Sequence, residues 1–347
     1  MKATKKLILA AVSLVAAASL TVGSTFAWFS YQSSVELGKV EFSVDSGDEN
    51  LQVAVVAYDA TNPVTPDESD FSYSLSAELI KSKINGGTEV KYKPLTVSGA
   101  DASNTVAATD SIALVNEDKS NALPGSYAVF DLVFRYTPVK ADGETAMPSL
   151  VLNSDSDISA KNIPADDESG VTIASSTSAW TDFDETDYGI ALNEGDPINA
   201  RARDAARVAF LYDDKGTTKN KVWAPSEVFD NDINTYTSDR ARGFYRNNLA
   251  SDYKVQRKDS VTNSASPAPT YSSRIYKSLE NPTSVNDFLY SKIAEFPKLS
   301  GTSTSSQLRV TVKVWLEGTD GDCLESFQND AFAFTLKFRT STIKNAS

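Results

Sequence analysis

Apolar residues recur with a period of two along most of the chain. From position 29 they fall on odd positions, Phe29, Tyr31, Val35 and Leu37, and then on even ones, Val40, Phe42 and Val44. The inward face therefore changes phase at Gly38, which predicts a β-bulge or tight bend there. Leu51 to Tyr58 is almost continuously apolar, the pattern of a strand covered on both faces, and Asn62-Pro63 and Pro66-Asp67 end it. Phe71, Tyr73, Leu75 and Ala77 alternate and lead through Gly86-Gly87 to Val90, Tyr92 and Pro94, which predicts a hairpin near a sheet edge. Ile112 to Val115 predicts a short strand. After Pro124-Gly125 comes the cleanest alternation, with Ala128, Phe130, Leu132 and Phe134 on one face and Tyr127, Val129, Asp131 and Arg135 on the other. That strand is expected at the centre of the core, and Leu150 to Leu152 follows it.

Residues 153–200 change character, because Ser, Asp and Glu crowd in around Trp180, Phe183 and Tyr188. This predicts a long solvated insertion or a domain boundary. Strand character returns at Arg207 to Tyr212 and briefly at Val222 and Trp223, and residues 226–305 are polar and mixed. One helix is expected there: Ser284 caps it, Asp287 stands at the third position, Phe288, Leu289, Ile293 and Phe296 form one stripe, and Pro297 stops it. Two strong strands close the chain. Leu308, Val310, Val312 and Val314 alternate with Arg309, Thr311, Lys313 and Trp315, and Phe332, Phe334, Leu336 and Phe338 alternate with Ala333, Thr335, Lys337 and Arg339.

Aromatic and β-branched density at both ends, around a polar middle, predicts that the last strands return to the sheets opened by the first. The expected fold is all-β, a jelly-roll-like β-sandwich with a large polar insertion containing a short helix. Residues 28–152 would form the first part of the sandwich, 153–305 an insertion or second subdomain, and 306–347 the strands that complete it.

The first 27 residues read as an export signal. Lys2, Lys5 and Lys6 form a positive head, and the run from Leu7 to Val22 is broken only by Ser13, Ser19 and Thr21. Small residues at Thr25 and Ala27 place cleavage between Ala27 and Trp28, leaving a mature chain of about 320 residues. An uncut membrane anchor is the alternative, since the run approaches spanning length. The chain is acidic, with 46 Asp and Glu against 33 Lys and Arg and a net charge of −13. Such a surface is soluble and is repelled by nucleic acid and by anionic lipid, so no nucleic-acid partner is expected, and membrane contact only during export.

One cysteine, Cys323, rules out an internal disulfide; the thiol either pairs between chains or is buried as a small hydrophobe. The chain has no histidine, which removes the usual general base, the imidazole metal ligand and the Ser-His and Cys-His nucleophile pairs. No enzyme activity is expected.

Gly23-Ser24-Thr25-Phe26-Ala27-Trp28-Phe29-Ser30 resembles the junction cut by the SipW-type signal peptidase in TasA and camelysin-like matrix proteins of Gram-positive bacteria. Leu37-Gly38-Lys39-Val40-Glu41-Phe42 and Ala122-Leu123-Pro124-Gly125 are similar to the early glycine-then-strand step and the Leu-x-Pro-Gly turn of that family. Arg207-Val208-Ala209-Phe210, Val222-Trp223-Ala224-Pro225 and Val314-Trp315-Leu316-Glu317-Gly318-Thr319-Asp320 look like pieces of larger surface proteins that carry the same signal.

The resemblance implies a secreted, fibre-forming component of an extracellular or biofilm matrix or cell surface, exported with a SipW-type peptidase as partner. It further implies strand addition between subunits of the same or related chains. Trp28 to Leu37 would be the donor segment, with Phe29, Tyr31, Val35 and Leu37 filling an acceptor groove; a first strand folded into its own domain is the competing arrangement. The metalloprotease activity ascribed to camelysin-like proteins is not carried over, because His-Glu-x-x-His is absent.

No cofactor is expected, with one candidate exception. Glu317, Asp320 and Asp322, near Gly318 and Gly321, have the oxygen-rich composition of a calcium loop without the EF-hand spacing, and a solvated hairpin turn explains them equally well. The alternative to a fibre subunit is a monomeric cell-surface adhesin or carbohydrate-binding β-sandwich in which Trp180, Trp223 or Trp315 stacks on sugar rings.

Overall fold

The computed structural model describes residues 35–44, 50–98, 105–116, 120–138, 147–160, 206–223, 291–317 and 331–341, with short stretches at 173–175, 180–182, 190–192, 197–198, 256–258, 265–267, 270–273 and residue 275. In chain order the first strands are β1 (Val35–Val44), β2 (Leu51–Val56), β3 (Ser74–Leu75), β4 (Lys91–Tyr92), β5 (Pro94–Val97), β6 (Thr105–Val106) and β7 (Leu114–Val115), with helix α1 (Ala77–Lys83) between β3 and β4. Then come β8 (Ala128–Tyr136), β9 (Ser149–Leu152), β10 (Asp157–Ala160), β11 (Ile173–Ser175), β12 (Trp180–Asp182), β13 (Ile190–Leu192) and β14 (Pro197–Ile198). The last are β15 (Ala206–Asp214), β16 (Thr217–Trp223), β17 (Gln256–Lys258), β18 (Ala265–Pro267), β19 (Thr270–Tyr271), β20 (Lys292–Glu295), β21 (Ser306–Glu317) and β22 (Ala331–Ser341).

The fold is mostly β, with two seven-stranded sheets and, among the described residues, one short α-helix. The first sheet runs β20-β9-β22-β1-β3, with β10 also beside β22 and β4 beside β1. In the second, β21 lies between β15 and β8; β16 pairs with β15, β2 with β8, and β5 joins the end of β21 and pairs with β7. β11 pairs with β14, β6 with β19, and β12, β13, β17 and β18 form a separate small sheet. β10, β15, β16 and β20 all fall within residues 153–305 and all belong to the two main sheets.

Period-two patterning places the core. Phe130, Leu132 and Phe134 of β8, Val310, Val312 and Val314 of β21, and Val208 and Phe210 of β15 line the inner face of the second sheet. Phe42 of β1, Leu150 and Leu152 of β9, and Phe334, Leu336 and Phe338 of β22 line that of the first. Rings meet across the gap: Phe42 stacks on Phe130 at 5.0 Å between centroids, and Phe134 meets Phe338 edge-on at 4.8 Å. Truncating one of these rings to alanine costs about 3–5 kcal/mol, the transfer loss plus an unfilled cavity.

The first and last strands pair, as expected, and do so in parallel. Leu37 opposes Phe332 whereas Val40 opposes Phe334, so β1 carries one extra residue at Gly38-Lys39, the bulge foreseen from the phase change. β8 is paired on both sides and its residues are almost all buried, in agreement with a central strand.

Two expectations fail. Residues 71–94 do not form a hairpin. Ser72 exchanges backbone hydrogen bonds with Val53 of β2 at 2.8 and 3.0 Å, Tyr73 accepts one from Val44, and β3 and β4 each pair with β1. The chain thus crosses from the second sheet to the first and then turns into α1. Ser76 caps that helix by accepting from the Leu79 amide at 3.3 Å, Glu78 sits in the first turn, Lys81 and Lys83 in the last, and Ile80 and Ile84 enter the core. The alternation up to Ala77 was a strand signal, but Ile80 and Ile84 share a helical face.

The extension of the expected helix to Phe296 is the other: Ser291 is helical, but the chain is a strand from Lys292. Ser284, Asp287, Phe288 and Leu289 lie outside the described residues, and Ile293 belongs to strand β20, paired with β9. Ile293, Ala294 and Phe296 are all buried, a burial on both faces that pattern alone does not distinguish from a helical stripe.

Candidate functional site: strand edges and a polar channel

Of the residues singled out in the sequence, Ala27, Trp28, Phe29, Tyr31, Asp320, Asp322 and Cys323 lie outside the described residues. The backbones of Val35 and Leu37 belong to β1, where Val35 pairs with Tyr92 of β4 and Leu37 with Phe332 of β22. Glu317 ends β21 fully buried, and its carboxylate accepts the Trp315 indole N–H at 3.2 Å. Among the described residues no three Cys, Asp or Glu side chains gather where a metal ion would bind. Trp223 and Trp315 are 1% and 0% exposed, so neither presents a ring for a sugar.

Other segments of the chain bond to parts of the sheet edges. Ser72 covers β2 at Val53. On β16, the Asn220 amide donates to the Ala108 carbonyl at 2.8 Å, and Ile275 donates to Val222 at 2.9 Å. The Asn220 side chain also donates to the carbonyls of Ala107 and Asp110 at 2.8 and 2.9 Å, binding the 105–110 segment to the sheet. Beyond the end of β2, Asn85 completes β8. Its side-chain amide donates to the Tyr127 carbonyl and accepts from the Val129 amide, both at 2.8 Å.

β1 differs. Opposite β22, β4 pairs with Val35 and Glu36, and β3 with Phe42 and Ser43. From Leu37 to Glu41 that side has no strand partner among the described residues.

The outer face of the second sheet is covered in two pieces. Phe71 packs on Ala54, Val56 and Val133. Separately, Leu95, Val97, Val106, Ile112 and Leu114 pack on Ala209, Leu211, Val222 and Trp315, with Tyr127 against them. Between the two lies a polar cluster. Asp131, 2% exposed, accepts from the Arg309 guanidinium at 2.7 Å and from the Thr311 hydroxyl at 2.6 Å. Arg309 also donates to the Val64 carbonyl at 2.5 Å, which fastens the 57–70 loop to the sheet. Lys313 donates to the carbonyls of Ser111 and Ile112 at 3.1 and 2.9 Å. Ile112 adopts φ +50°, a left-handed conformation rarely taken by a β-branched residue.

The titrations follow from this packing. Burial, and then the Asp131 and Asp59 charges, push the Tyr58 hydroxyl up. Burial followed by the Tyr58 charge does the same for Tyr127. Burial lowers Lys313. Sequence patterning missed this site, although an acid on the outer face of the central strand, beside a neighbouring strand reading Arg309-x-Thr311-x-Lys313, was its visible trace.

Compared with family models, with curated proteins and with solved structures, the chain matches none. The reading of its function therefore rests on its own residues.

Proposed function

We propose that this is a secreted or surface-retained structural protein, similar to TasA and camelysin-like matrix components, that assembles into fibres by β-strand addition. On this reading a jelly-roll-like sandwich is the scaffold, a SipW-type peptidase releases the chain after Ala27, and the partners are further copies or related matrix subunits. The protein needs no cofactor for this role, and Glu317, engaged with Trp315, is not given a calcium role.

The observation that carries the reading is the gap in strand pairing along β1. Opposite β22, β3 and β4 each pair with two residues of β1; on that side, among the described residues, no strand pairs with Leu37 to Glu41, and α1 packs beside β1. β1 is also the strand into which the aromatic segment Trp28-Phe29-Ser30-Tyr31 leads. An edge with unpaired N–H and C=O groups accepts an extended peptide, and alternate side chains fix its register.

Since Val35 and Leu37 already pair inside their own sheet, the donor reduces to residues 28–34. The test is electron microscopy of the mature protein with and without those seven residues. Fibres that vanish while the deleted protein still unfolds cooperatively support strand addition; fibres of unchanged number and length without residues 28–34 overturn it.

A further inference from the structure

Asn85-Gly86 is the only Asn-Gly pair in the sequence, and its asparagine is the one whose side chain completes β8. Such a pair is chemically labile in an unstructured chain, because glycine has no side chain to hinder the approach of its backbone nitrogen to the asparagine amide. The Gly86 nitrogen gives up its proton and bonds to Asn85 Cγ, the Cγ–Nδ2 bond breaks, and ammonia leaves a succinimide ring. Water then opens the ring at one carbonyl or the other, giving aspartate or isoaspartate. Water is the only co-reactant.

The fold blocks ring closure twice over. Asn85 Nδ2 donates to the Tyr127 carbonyl and Oδ1 accepts from the Val129 amide, both at 2.8 Å, so the side chain is held toward β8. Asn85 also has ψ 32°, which puts the Gly86 nitrogen nearly opposite Asn85 Cβ about the Cα–C bond, where no ring can form. Both restraints are local. Gly86 and Gly87 are exposed to water, and the preceding helix α1 is only seven residues long, so this turn can open without global unfolding.

We propose that Asn85 is a modification site gated by the fold: it persists while bound to β8 and is converted to aspartate or isoaspartate by water when the turn opens. The change is one-way. Either product lacks the N–H that the Tyr127 carbonyl accepts, and isoaspartate also lengthens the backbone, so the end of β8 is not covered again. Each conversion adds a negative charge to a chain already at −13.

The test is peptide mapping by mass spectrometry of the whole chain held in isotopically labelled water at mildly alkaline pH, folded and in urea. In urea Asn85 should convert faster than any other asparagine. In the folded protein its conversion should be slower by about tenfold or more, as two hydrogen bonds and an opening equilibrium require. Gly87→Ala leaves the Asn-Gly pair intact but strains the turn, since Gly87 has φ +87° and a Cβ there would lie 3.3 Å from the Ser82 carbonyl oxygen. It should speed conversion in the folded protein several-fold. Hydrogen exchange of the Val129 amide in the unsubstituted protein reads the same opening, and conversion should follow it as temperature is varied. Equal rates in the folded and unfolded chains, another asparagine converting faster in urea, or a folded-state rate that does not follow Val129 exchange overturns the assignment.

Discussion

Asn85 stands in for a strand. Where β2 stops at Val56, its amide reproduces the donor and acceptor that a further residue of β2 would have offered to Tyr127 and Val129. The role needs both a side-chain amide and a left-handed backbone, φ 48°, which asparagine tolerates better than most residues. Asn85→Ala leaves a carbonyl and an amide without partners in a part-buried site, and is expected to cost about 2–4 kcal/mol. Asn85→Asp keeps the acceptor for Val129 but loses the donor for Tyr127, and is expected to cost less. Urea unfolding of the two variants checks the order, and equal losses would show that the pair of hydrogen bonds is not the cause.

Asp131 is a second case at this scale. With Asp131 2% exposed and the Arg309 side chain 30% exposed, Asp131→Ala strands a partly buried guanidinium and an unpaired Thr311 hydroxyl. The expected loss is about 2–4 kcal/mol, moderated by the water Arg309 still reaches. Arg309→Met should cost at least as much, because it leaves a 2%-exposed carboxylate with only the Thr311 hydroxyl and frees the Val64 carbonyl. A double-mutant cycle of Asp131 and Arg309 reads the coupling directly, and additivity would contradict it.

Among the elements, the long strands were legible because their side chains face one way or the other with nothing in between. β8, β21 and β22 appeared in sequence as strict alternations, and Phe130, Val312 and Leu336 are buried where that alternation puts them. The bulge at Gly38-Lys39 was legible for the same reason, since one inserted residue moves every later side chain to the opposite face. What stayed hidden was set by tertiary contact. α1 is too short for its period to stand out from the alternation before it, and only the Ser76 cap with Glu78 behind it marked a helix start. In β20 the adjacent Ile293 and Ala294 are both buried and Glu295 is exposed, so its pattern carries no period of two. The polar cluster depends on which strands lie side by side, and adjacency across 178 residues, from Asp131 to Arg309, is not written in local pattern. Ser76→Ala should cost about 1 kcal/mol, and Ser76→Asp should restore most of it by keeping an acceptor at the helix N-terminus. Thermal unfolding of the two variants checks this, and an unchanged midpoint for Ser76→Ala would mean that tertiary contacts alone hold α1.

At the scale of the whole molecule, burial of phenols and amines sets the alkaline limit of stability. Tyr58, Tyr92, Tyr127 and Tyr212 are all raised, chiefly by burial, while the unfolded chain ionises its tyrosines near 10.0. Above that pH the native state holds more of these protons than the unfolded one, so stability falls as pH rises. Lys221 and Lys313, lowered mainly by burial, act in the opposite direction in the window below 10.5, where the unfolded chain holds the extra proton. With four tyrosines against two lysines, the net expectation is a decline in unfolding free energy above about pH 10. Absorbance titration at high pH should then show tyrosines that ionise only together with loss of structure. A single titration complete in the folded protein would refute the burial.

For this acidic, histidine-free molecule the proposed activity is assembly. The most direct test of that claim combines N-terminal sequencing of the exported protein with light scattering at micromolar concentration. The account predicts Trp28 as the first residue and particles far larger than one chain. Trp28 first with a single-chain mass at every concentration would contradict assembly, and Met1 retained on a monomer would contradict release of the segment as well.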